Sequence, residues 1–348
     1  MTGKEKDQLD ELVAKINKAN LPPDLAEKAQ EEIGRLRLAK QSGWFWQGMQ
    51  QLWHWISWIT GLPWQTASKD ILDLQYARGI LNKSHYGLDE IKERILEYIS
   101  VLILQEQKEK RLIQAPVLCF VGLVGTGKTT VAEAIARALG RKFIRIPFGG
   151  LGDPLYLRGQ SRLHAEAEPG QLIKGLRQAQ TKNPVILLDE IDRVADEALN
   201  SIMGVLVELL DPEQNDRFVD YFIDYPFDLS GAIFVATANN TRRIATAVLD
   251  RLEVIQMPSY NDEEKIVIGR DYLLPKAIKG AGLEKEAIRI GSDCWPKIVR
   301  PLGYDAGVRT LKRTIERICR KTAKLIIEGK AKNVTITPTN VKNFLPSW

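Results

Sequence analysis

Cysteine is scarce in this sequence. Cys119, Cys294 and Cys319 are the only three in 348 residues and lie far apart, so their spacing builds neither a disulfide framework nor a zinc-type ligand set. Two of them fall in apolar strand or helix patterns and read as reduced core thiols. An excess of charge of one sign is also missing. The 49 basic and 44 acidic residues leave a net +5, too little and too dispersed to mark a nucleic-acid surface. Internal repeats and low-complexity tails are absent. The first residues, Met1-Thr-Gly-Lys-Glu-Lys-Asp7, are charged from the start, unlike a secretory leader, and a cytoplasmic location is expected. With 44% hydrophobic and 27% charged residues, the composition is that of an ordinary soluble protein, long enough for two or three domains.

Charge vanishes altogether in one stretch. From Gln41 to Ser68 there is no Asp, Glu, Lys or Arg, and Trp44, Trp46, Trp53, Trp55, Trp58 and Trp64 crowd into it, six of the eight tryptophans. It makes a poor membrane-spanning helix, because Gln47, Gln50, Gln51, His54, Ser57 and Thr60 interrupt it and no basic cluster flanks it. Three readings stay open: a helix buried between domains or between subunits, a segment lying on a membrane surface, or a peptide-binding groove. Ahead of it, Leu9, Leu12, Val13 and Ile16 mark one face of a helix that ends at Leu21-Pro22-Pro23. Asp24 with Glu27 reads as a capping-box start to a second helix with Leu25, Ile33 and Leu36 inward. Residues 1–68 are therefore expected to form a helical neck.

The rest of the chain is organised around Val117 to Thr130. An apolar strand, Val117 to Val121, breaks into Gly122-Leu-Val-Gly125-Thr126-Gly127-Lys128-Thr129, and a helix follows at once. A G-x-x-x-x-G-K-[ST] loop can wrap a triphosphate, because glycines let backbone N–H groups converge on phosphates with no Cβ in the way. The positive end of the following helix points at the same anion. Lys128 is expected to neutralise the β- and γ-phosphates of ATP, with Thr126 and Thr130 in the cradle and Thr129 as a Mg²⁺ ligand.

Further apolar runs at Phe143 to Ile146, Val185 to Leu188, Ile233 to Ala236 and Val254 to Met257 alternate with helical stretches, the pattern of a parallel sheet covered on both faces. The fold class is α/β: a nucleotide-binding core over 69–258, followed by a small helical lid over 259–348 with one closing strand near Asn333 to Thr337. The third strand ends in Asp189-Glu190. In a P-loop ATPase the first carboxylate holds Mg²⁺ through water and the second serves as general base on the attacking water. The fourth strand ends in Asn239, an amide suited to orienting that water.

These motifs together resemble the AAA+ module of Lon proteases. The resemblance rests on Gly122 to Thr129, Thr181 to Asp192, Leu210-Asp-Pro-Glu-Gln-Asn215, Pro226 to Ser230, Leu249 to Ile255 and Ala306-Gly-Val-Arg309, and covers roughly residues 70–345. It implies a five-strand sheet of order 5-1-4-3-2, a helical lid, and a homo-oligomeric ring of six with ATP between neighbours. Arg251 then corresponds to an arginine finger reaching the adjacent subunit's ATP, and Arg309 to a sensor arginine that contacts the γ-phosphate. His85, Tyr86, Gly87 and Leu88 correspond to the turn that lines the adenine pocket.

Two departures from the family stand out. Lon proteases continue past the lid into a domain with a Ser-Lys dyad, whereas this sequence ends at Phe344-Leu-Pro-Ser-Trp348, and the large N-terminal substrate domain is missing too. The expectation is an ATPase with no peptidase site in these residues. It would be a stand-alone remodeller of a protein partner or separate peptidase, the motor segment of a serine protease, or an ATP-gated scaffold at a membrane. Second, Arg158-Gly-Gln-Ser-Arg162 is kept, but the aromatic pore loop that should follow is replaced by Leu163-His164-Ala-Glu166-Ala-Glu168.

Overall fold

The computed structural model describes residues 3–38, 45–107, 116–164, 166–300 and 305–345. Trp44 of the tryptophan-rich stretch lies outside them. Over the described residues the chain divides into two compact units, the first built from 1–72, 100–119 and 139–254, the second from 73–99, 120–138 and 255–348.

Five strands form the central sheet: β1 (Val117–Val121), β2 (Phe143–Pro147), β3 (Val185–Asp189), β4 (Ile233–Ala238) and β5 (Leu252–Gln256). Their order across the sheet is β2-β3-β4-β1-β5, or 5-1-4-3-2 read from the far edge. β2/β3 and β3/β4 pair in parallel, with Leu188 opposite both Ile146 and Ala236. Burial follows position. β1, β3 and β4 are buried at every residue, as inner strands covered on both faces must be, while the edge strands β2 and β5 are exposed at some positions.

In the first unit, helices α1 (Gly3–Lys18), α2 (Pro23–Leu38) and α3 (Phe45–Ile59) form the helical N-terminal region. Leu9, Leu12 and Ile16 of α1 and Leu25, Ala29 and Ile33 of α2 are buried. The expected capping box at Asp24 is not what starts α2. The helix begins one residue earlier, at Pro23, whose fixed φ and missing N–H suit a first helical position.

The tryptophan-rich segment spends most of its rings inside this unit. Trp55 is wholly buried and donates from Nε1 to the Ile223 carbonyl at 3.0 Å. The Arg162 guanidinium lies 4.3 Å from its ring, and Arg177 lies 4.2 Å from the Trp58 ring. Trp64 packs on Phe227, with ring centres 5.0 Å apart, whereas Trp46 and Trp53 stay exposed. Among the described residues no helix is long and apolar enough to cross a membrane. Trp55→Ala is expected to cost about 3–5 kcal/mol by cavity formation. Trp55→Phe should cost about 1–3 kcal/mol by leaving the Ile223 carbonyl unpaired. Urea unfolding measures both.

A short antiparallel pair, Phe218–Asp220 with Tyr225–Phe227, lies between β3 and β4 in the chain. In the second unit the long helix Arg309–Ile327 turns Leu311, Ile315, Ile318 and Thr322 inward, against Trp295 and Ile298. Strands do not stop before the closing one, as the sequence had suggested. Ile288–Ile290 pairs in parallel with Val334–Ile336.

Candidate nucleotide site

In the second unit the glycine-rich loop is shaped by its neighbours. A Cβ on Gly122 would stand 2.7 Å from the Met257 carbonyl oxygen. Gly125 (φ +87°) and Gly127 (φ +101°) occupy the left-handed region, which turns successive N–H groups toward one concavity. Helix α4 (Lys128–Leu139) starts there. Lys128 is buried, and its Nζ donates to the carbonyls of Gly122 (2.6 Å) and Leu123 (3.1 Å), so the ammonium is folded into the loop. Thr126, fully buried, donates to the Leu123 carbonyl at 2.9 Å. Two left-handed glycines, an inward ammonium and a helix N-terminus make a cradle that fits a triphosphate.

Arg309 stands beside this loop. The Val308 N–H donates to the Gly125 carbonyl at 3.0 Å, and a Cβ on Gly125 would meet the Arg309 Cβ and N at 3.2 Å. Gly307 permits the approach, since a Cβ there would lie 2.5 Å from the Gly125 carbonyl carbon.

The turn from His85 to Leu88 belongs to the same unit. Gly87 (φ +59°) and Leu88 (φ +57°) are both left-handed, an uncommon state for leucine that costs about 1–2 kcal/mol. Tyr86 meets Tyr272 edge-on, with ring centres 6.5 Å apart. His85 Nε2 lies 2.8 Å from Thr130 Oγ1, and that hydroxyl donates to the Gly127 carbonyl at 2.8 Å. Its proton is thus committed, so His85 is the donor and Nε2 carries the hydrogen. Desolvation, helped by Lys92, Lys276 and Arg137, pushes the imidazole down from 6.5 to about 4. The sign follows: an unfolded chain takes up this proton below about 6.5 while the folded one resists until about 4, so stability is lost as pH falls through that window. His85→Gln should therefore shrink the difference between urea midpoints at pH 7 and pH 5.

The carboxylates lie in the first unit. Asp189 is buried. It accepts from Thr237 Oγ1 at 2.6 Å and from Arg145 Nε at 2.7 Å, and Thr237 Oγ1 accepts the Glu190 N–H at 2.9 Å. Glu190 is left-handed (φ 60°, ψ 50°), a strained state of the kind that clusters at functional positions. A Cβ on Gly149 would come within 3.2 Å of Glu190 Oε2, so glycine leaves that carboxylate room. The backbone of Asn239 is held by Asp192, whose Oδ1 accepts its N–H at 3.0 Å. The β3/β4 pairing thus gathers Asp189, Glu190 and Asn239 at one strand end. Arg251 reaches Asp211 Oδ2 (2.8 Å) and the Ala247 carbonyl (2.7 Å).

Residues 118–260 match the ATPase family associated with various cellular activities (AAA), and residues 279–334 match the Lon protease AAA+ ATPase lid domain. Together these span more than half of the chain. The chain belongs to the AAA+ ATPases of the Lon family. The Lon protease of Heliobacterium modesticaldum is 42% identical over 336 residues, which are 97% of this chain and 40% of that protein. That of Dictyoglomus thermophilum is 42% identical over 339 residues, 97% and 42% respectively. Lon protease 2 of Herpetosiphon aurantiacus is 40% identical over 338 residues, 97% and 41%. The chain spans about two fifths of the length of these relatives.

In this Lon-family module the altered loop presents Leu163, 92% exposed, with exposed His164 and Glu166 beside it. Its base is tied down by Arg162, on the Trp55 ring, and by a Lys174–Glu168 ion pair. Sequence reading missed Thr237, Asp192, Arg145, Gly307, Tyr272 and the role of Thr130 toward His85. Each acts through a partner distant in the chain, so even the motifs that contain Asp192 and Gly307 do not give their roles.

Proposed function

We propose that this chain binds and hydrolyses Mg-ATP as the subunit of a hexameric ring and uses the cycle to remodel or organise a protein partner. The observation that carries the reading is the loop from Gly122 to Thr129, with its two left-handed glycines and buried, inward lysine. In this reading the backbone N–H groups of Gly125, Gly127 and Lys128 take the phosphates, and the Lys128 ammonium balances their charge. Tyr86, Gly87 and Leu88 receive the adenine ring, with His85 locking that turn to α4. Thr129 and Asp189 supply a hydroxyl and a carboxylate, a donor set that suits Mg²⁺ when substrate phosphates and water complete its sphere. The metal, when bound, neutralises charge on the β- and γ-phosphate oxygens.

Glu190 takes the proton of the attacking water as general base, and Asn239 orients that water. Arg309 in the same chain and Arg251 lent by a neighbour stabilise charge on the transferred phosphoryl group, a task for which a fork of always-charged donors is suited. The assignment follows the three-part division into neck, core (69–258) and lid (259–348). A cytoplasmic location goes with it, and contact with a membrane surface would fall to Trp46 and Trp53, the rings left exposed.

The span of two fifths of its relatives' length is compatible with a second reading, the motor segment of a Lon-type serine protease. Mixing subunits tests the ring chemistry common to both. Lys128→Ala and Arg251→Ala chains, each inactive alone, should recover phosphate release when combined, because one supplies the finger and the other the loop. No recovery at any ratio counts against a shared site.

A further inference from the structure

Arg251 would lend its guanidinium to another subunit, yet it is held at two points within its own chain. Nη1 donates to the Ala247 carbonyl at 2.7 Å, and Nη2 donates to Asp211 Oδ2 at 2.8 Å. Asp211 follows directly on the helix Leu199–Leu210 and is itself fixed: Oδ1 accepts the Glu213 N–H at 3.0 Å, and Oδ2 accepts Gln214 Nε2 at 2.8 Å. Both side chains keep little surface, 16% for Asp211 and 28% for Arg251. Such a pair differs from a loose surface ion pair, because both partners are anchored before they meet.

We propose that Asp211 is the positioning residue of the Arg251 finger, holding the guanidinium at the subunit edge in the one orientation from which it serves a neighbour's triphosphate. The proposal rests on the reading of Arg251 as that finger. A long arginine side chain has many rotamers, and a donor that must first be gathered from them contributes less to the transition state than one already in place. Each Nη commits one N–H to its anchor and retains a second, so a further acceptor can be served with both anchors kept. The Asp211 carboxyl lies below the usual range, first because of the bond from Arg251, so it is a carboxylate whenever the enzyme works.

The test compares ATP turnover and ATP affinity in Asp211→Asn, Arg251→Ala and the double variant. Arg251→Ala should lower kcat by about a hundredfold or more. Asp211→Asn, which keeps the shape but loses the charge, should lower kcat by about tenfold or more, with ATP Kd and melting temperature near those of the parent. The double variant should be no slower than Arg251→Ala, because Asp211 acts only through the guanidinium. Asp211→Glu, which keeps the charge, should recover part of the loss.

Outcomes separate cleanly. Parental turnover in Asp211→Asn, a double variant slower by the product of both effects, or loss of ATP affinity or melting temperature along with kcat would each overturn the positioning role and leave the finger intact. Parental turnover in Arg251→Ala would overturn both.

Discussion

Replacing Lys128 by alanine is expected to abolish measurable ATP binding. In the structure its ammonium is buried and donates to two loop carbonyls, Gly122 and Leu123. Hydrogen bonds involving a charged group contribute about 1.5–3 kcal/mol each. Losing two such bonds to phosphate oxygens amounts to about 3–6 kcal/mol, or roughly a hundredfold to ten-thousandfold in Kd. Part of the cost falls on the free protein, because both carbonyls lose their donor, so a fall in melting temperature should accompany the lost affinity. Calorimetric titration with ATP and magnesium measures the first and a thermal scan the second. An affinity within threefold of the parent would remove the loop from the phosphate-binding role.

Glu190→Gln should leave binding intact and do comparable damage to turnover. Glutamine matches glutamate in size and keeps the backbone N–H that donates to Thr237 Oγ1, so the turn and the space beside Gly149 are preserved. What disappears is the capacity to accept a proton. General-base catalysis is worth about a hundredfold to ten-thousandfold, and kcat should fall by that much while ATP affinity stays within a few-fold. Such a variant would hold its nucleotide and lock the assembly in the ATP-bound state. Single-turnover phosphate release measures the step, and parental turnover would show that Glu190 is not the base.

The parts that the chain announces by itself are those with a local pattern. The glycine loop, the apolar run before Asp189 and the amphipathic helix over Arg309–Ile327 each carry their signal within a few turns of backbone. The strand Ile288–Ile290 does not, because three residues show too little alternation to separate a strand from a loop, whereas its partner Val334–Ile336 falls where the closing strand is expected. The antiparallel pair at Phe218 and Tyr225 is hidden further by Pro226, which demotes a strand reading. The same limit applies to chemistry. Glu190 is visible from its place after an apolar strand, but nothing near Thr237 or Asp211 in sequence says that one is bonded to Asp189 and the other to Arg251. Glu190's left-handed backbone is equally unannounced, since residues other than glycine seldom adopt it.

The indole of Trp55 also sets a practical boundary. Its nitrogen is bonded to Ile223, His54 stands edge-on to Phe222, and Trp64 covers Phe227. A shortened chain starting at residue 69 would strip these covers together, baring Phe222 and Phe227 and removing the ring beneath Arg162. Excision at residue 69 would therefore yield a sticky, partly uncapped particle, and expression of the ATPase sheet alone calls for keeping the N-terminal helices attached.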